Sequence, residues 1–60
     1  MNSRKVLKIL RRDGWYKVRI TGDHWHFKNA HKSGIVTVPH PRKAIPKGTL
    51  DNIWKQAGLK

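Results

Sequence analysis

Apolar residues at the start of the chain recur with a helical period. Val6, Leu7, Ile9 and Leu10 fall on one stripe, and Lys5, Lys8, Arg11 and Arg12 fill the remaining surface. This predicts a surface helix from Arg4 to about Asp13, with Ser3 as its N-cap and Gly14 as its stop. The pattern then switches to period two. Trp15 to Ile20 alternates, with Tyr16, Val18 and Ile20 on one face and Trp15, Lys17 and Arg19 on the other, as in a half-buried strand. Thr21-Gly22-Asp23 reads as a turn, so a second strand from His24 to about Lys28 pairs antiparallel with the first. A looser connection, Asn29 to Gly34, leads to a β-branched third strand, Ile35-Val36-Thr37-Val38, ended by Pro39. Pro39 to Pro46 holds three prolines and reads as an ordered loop. Leu50, Ile53, Trp54 and Ala57 stand at i, i+3, i+4 and i+7, a second helix closed by Gly58. The expected fold class is α+β in the order α-β-β-β-α, with both helices on one face of a three-stranded antiparallel sheet and the other face open.

Composition narrows what such a domain meets. Its 60 residues hold 14 Lys and Arg against 3 acids, a formal charge of +11. An excess this large calls for a polyanionic partner, nucleic acid or an acidic protein surface. Residues 1–60 are expected to form a single domain. A chain of this length buries only about 60% of the surface its unfolded form exposes, so the core is small. Three Trp with Tyr16 and Phe27 nonetheless supply enough ring area to argue against disorder. No cysteine is present to make a disulfide or a thiolate zinc site, and there is no run of about 20 apolar residues to cross a membrane. A cytoplasmic location is the expectation.

The chemistry concentrates in Gly22-Asp23-His24-Trp25-His26-Phe27. On a strand, His24 and His26 share one face, and Trp25 and Phe27 share the other. RNA carries its own nucleophile in the 2′-hydroxyl, so cutting it takes little more than a base, an acid and positive charge around the phosphate. His24 is the catalytic candidate, next to a turn in which Gly22 lets substrate approach the backbone. His26 is a second proton carrier or a phosphate contact. Lys17, Arg19 and Lys28 are the phosphate-holding candidates along the two strands. The stiff loop Pro39-His40-Pro41-Arg42-Lys43 sets the His40 imidazole and two cations where they could clamp phosphate unless it is plain loop architecture, and Lys47 opens the second helix, where free N–H groups favour an anion unless Thr49 caps them. A zinc site on His24 and His26 would need a third ligand from His31, His40 or Asp23. The acids Asp13, Asp23 and Asp51 are too scattered for a two-metal nuclease. No metal or other cofactor is expected.

Ser3-Arg4-Lys5, Asp13-Gly14-Trp15, Gly22-Asp23-His24-Trp25-His26-Phe27, Val36-Thr37-Val38-Pro39-His40-Pro41, Pro46-Lys47-Gly48-Thr49-Leu50 and Lys55-Gln56-Ala57-Gly58-Leu59 occur in that order along the chain. Together they resemble the HicA family of bacterial toxins, the mRNA-cleaving half of HicA–HicB toxin–antitoxin pairs. The resemblance implies a fold similar to double-stranded-RNA-binding domains and a ribosome-independent endoribonuclease whose essential histidine is His24. It also implies a HicB-type antitoxin partner, whose covering surface the charge predicts to be acidic, with DNA contacted only through that antitoxin. The family's usual serine at the turn is replaced here by Asp23, which can orient the imidazole or raise its proton affinity while the Lys/Arg field acts the other way. The rivals are a non-catalytic RNA-binding module of the same fold and a purely protein-directed partner. Cleavage separates the first, and failure to bind RNA at low salt the second.

Overall fold

The computed structural model describes residues 1–60. Helix α1 runs Ser3–Arg12, strands β1, β2 and β3 run Trp15–Thr21, His24–Asn29 and Val36–Pro39, and helix α2 runs Lys47–Gln56. The sheet is antiparallel in the order β1-β2-β3. The α-β-β-β-α expectation is therefore met, with each element within two residues of its predicted bounds.

Register fixes the two faces. Phe27 stands between Lys17 and Val36, and Trp25 between Ile20 and Val38. These positions face the helices, where Phe27, Val36 and Val38 form one core with Val6, Leu7 and Leu10 of α1 and Ile53 and Ala57 of α2. Leu50, Trp54 and Trp25 pack partly buried against it. His24, between Thr21 and Pro39, and His26, between Arg19 and Thr37, lie on the face with no helix.

Three sequence expectations need correction. Strand β1 does not alternate throughout, because its register against β2 shifts between Lys17 and Arg19, a β-bulge at Val18. Trp15 is the buried residue of this edge strand, at 2% exposure, whereas Tyr16, Val18 and Ile20 are all exposed. Arg19, beside His26 on the open face, and Ile20, on the helix side, stand where the alternation put them, whereas before the bulge Tyr16 lies on the open face and Lys17 on the helix side, the reverse of the expectation. The N-cap of α1 is Asn2, whose side-chain oxygen accepts from the Lys5 N–H at 2.9 Å. Ser3 lies one residue inside and is 1% exposed. Thr49 does not cap α2, which starts at Lys47 after Pro46 with no side-chain cap.

The proline loop is ordered, as expected. Ser3 N–H donates to the Arg42 carbonyl at 2.9 Å, Ile45 N–H to the Met1 carbonyl at 2.9 Å, and His40 N–H to the Asp23 carbonyl at 2.8 Å. Buried Ile45 plugs the loop into the core, and the His40–Pro41 peptide is cis. At the opposite end, Asp13 ties three segments together. Its carboxylate accepts from Trp15 Nε1 at 3.1 Å and from Lys32 Nζ at 2.6 Å, and Lys32 also donates to the Ala57 carbonyl at the end of α2, at 3.0 Å.

Candidate functional site: an imidazole on an open, cationic sheet face

The turn before β2 sets the geometry. Gly22 adopts φ +60°, a left-handed conformation that costs a glycine little, and no atom lies within 4 Å of where its Cβ would be. The backbone is thus open to a ligand at the point where His24 begins the strand. The His24 side chain is 58% exposed, free at the corner of the open face.

Asp23 is held from the far side. Arg42 donates a guanidinium N–H to its Oδ2, and Oδ1 stands 3.7 Å from His24 Nε2. That separation is too long for a hydrogen bond and short enough for charge to be felt. The Arg42 hydrogen bond and positive charge hold the Asp23 carboxyl below the usual carboxylate range. The imidazole therefore borders a carboxylate already paired to a guanidinium, carried by the loop stitched to Asp23 and Ser3.

The other expected site residues divide. Arg19, His26 and Lys28 share the open face with His24 by register. His26 is restrained: Nδ1 shares a 3.0 Å hydrogen bond with Thr37 Oγ1, and Nε2 is buried without a partner. Only His24 of this pair presents an accessible ring nitrogen on that face. Lys17 is not on it. It pairs with Phe27 on the helix side and places its ammonium 4.7 Å from the Trp25 ring centroid. His40 is on the helix side too, edge-on to Trp25 with ring centroids 4.5 Å apart and Nδ1 sharing a 2.7 Å hydrogen bond with Ser3 Oγ. Lys47 is an exposed residue at the start of α2. No group of three or more His, Cys, Asp or Glu side chains converges to hold a metal ion, so His31, His40 and Asp23 do not complete a zinc site with His24 and His26. No helix is long and apolar enough to cross a membrane.

Arg42, expected only as one of the loop cations that could clamp phosphate, is paired with Asp23. The prolines around it signalled a stiff loop, but its pairing with Asp23 spans 19 residues and depends on where the loop docks.

Residues 3–59 match the family described as HicA toxin of bacterial toxin-antitoxin. A solved chain from a "HicA3 and HicB3 toxin-antitoxin complex" superposes with a TM-score of 0.82 at 36% identity, covering 100% of this chain and 97% of that one. No curated protein matches.

Proposed function

This chain belongs to the HicA family of bacterial toxins, and from that premise we propose that it is an endoribonuclease that cleaves mRNA in the cytoplasm without a metal ion. The observation that carries the reading is the exposed His24 imidazole at an open glycine turn, on a sheet face that also presents Arg19 and Lys28. His24 takes the proton from a ribose 2′-hydroxyl, the oxygen attacks the adjacent phosphorus, and the bond to the 5′-oxygen breaks as that oxygen takes a proton from solvent water. The guanidinium and ammonium stabilise the negative charge that builds on the phosphoryl oxygens. The products are a 2′,3′-cyclic phosphate and a 5′-hydroxyl. Asp23, kept ionised by Arg42, stands 3.7 Å from the ring that takes the proton.

A HicB-type antitoxin is the protein partner in this reading. Its contact surface is acidic, to match a chain of charge +11, and DNA is met only through it. A defined mRNA digested in EDTA tests the activity. The expected result is cleavage with cyclic phosphate ends; strict dependence on added Mg²⁺ overturns the mechanism. The second reading, an RNA-binding module that does not cut, draws support from the sealed His26 Nε2, which leaves one free imidazole on the face. RNA that is retained at low salt yet stays intact selects it.

A further inference from the structure

The helix side of the sheet carries a groove that the cleavage reading does not use. Between α1 and the start of β2 lies a cleft of about 620 Å³, floored by Leu7, Trp25 and His40 and walled by Arg4, Lys8, Arg11 and Arg12. It shares Arg4 and His40 with a second cleft of about 550 Å³ that runs over Arg42 and Lys43. No acidic residue lines either cleft. The second ends at Arg42, whose guanidinium touches Asp23 beside His24. A cationic path with an aromatic floor therefore leads from the exposed side of α1 to the corner where His24 stands. The α1 cations that wall it make no ion pair within the chain, so their charge is free for a ligand.

We propose that this path holds single-stranded RNA flanking the scissile bond, with one unpaired base against the Trp25–His40 pair and its phosphates on Arg4, Lys8 and Arg11. The proposal rests on the RNA-cleaving reading and extends it to a second contact region. Three observations choose the occupant. The cleft has the volume of a small-ligand pocket, large enough for a nucleotide. Its aromatic floor suits a base free of its stack, which a duplex does not offer. Its walls are cationic throughout, as a phosphodiester chain requires.

The test uses a short oligouridine methylated at every 2′-hydroxyl, so that binding is read without cleavage. The three indole N–H signals are followed by ¹⁵N NMR, and affinity is measured across a salt series. The Trp25 signal is expected to shift on titration, while that of buried Trp15 stays in place. Lys8→Gln with Arg11→Gln is expected to weaken binding and to reduce the slope of log affinity against log salt by about 1.4, at about 0.7 per lost phosphate contact on a single strand. Both residues are exposed on α1, so the fold survives their loss. His24→Ala is expected to bind this RNA as the wild type does. An unmoved Trp25 signal with an unchanged salt slope overturns the proposal. So does equal competition by an RNA duplex of the same length, or displacement by polyglutamate as effective as by RNA, which marks the groove as a surface for an acidic protein. Because the probe cannot be cut, loss of cleavage in His24→Ala with an inert groove leaves the nuclease reading standing and removes only this one.

Discussion

Replacing Ser3 with alanine removes one oxygen from the interior and the side-chain hydrogen bonds it makes to the loop that carries Arg42. Ser3 Oγ accepts from the Arg42 N–H at 2.8 Å and shares a 2.7 Å hydrogen bond with His40 Nδ1. Its alanine variant leaves both partners without a match in a spot that is 1% exposed at the serine itself. A buried polar group stripped of its partner costs about 1–3 kcal/mol, and the lower figure applies here because Arg42 and His40 reach solvent on their outer sides. Two such losses come to about 2 kcal/mol. In a domain of this size each kcal/mol moves the melting temperature by about 4–8 °C, so Ser3→Ala is expected to melt about 8–16 °C below the wild type. Asn2→Ala is the internal comparison. It removes only the helix cap, at about 1 kcal/mol and about 4–8 °C. Thermal unfolding followed by circular dichroism reads both. A Ser3→Ala protein that melts within 3 °C of wild type, or above Asn2→Ala, refutes the view that Ser3 anchors the loop.

Two further outcomes test the rest of the framework. Lys32, through its hydrogen bond, holds the Asp13 carboxyl below the usual carboxylate range. Its stabilisation is therefore complete above the ordinary Asp value near pH 4 and fades as pH falls through the lowered native value. Melting temperature measured from pH 3 to 7 should fall on the acid side for wild type, while Asp13→Asn starts lower at pH 7 and falls less; equal melting at pH 7 contradicts the role. Gly14→Ala should destabilise for two reasons, its φ of +97° and a Cβ that would stand 3.2 Å from Asn29 Nδ2. Gly48→Ala, with open space around it, should not, and chemical denaturation of the two variants separates them.

The order of elements was readable because each was written in its own period. The stripe of Val6, Leu7 and Leu10, the His24/Trp25 alternation and the Ile53/Ala57 stripe all sit where the pattern placed them. Reading failed where tertiary placement decides. Strand β1 is an edge strand, so the apolar Tyr16, Val18 and Ile20 remain exposed, and no local signal announces a bulge at Val18. Ser3 looked like a cap because serine favours that position, but its hydroxyl is claimed by a loop 37 residues away. Of the candidate site, His24, His26 and Lys28 share a face as strand alternation requires, and Arg19 joins them on the face opposite Ile20, where the alternation placed it. Lys17 and His40 turned to the helix side, one by the register of β1 and the other by the docking of the proline loop.

His24→Ala compared with wild type on a labelled, unstructured RNA in EDTA, with cleavage and binding followed together, tests the central claim most directly. The His24 reading predicts that the variant binds as wild type does and leaves the RNA intact. Equal cutting by both proteins would contradict it and move the chemistry away from His24.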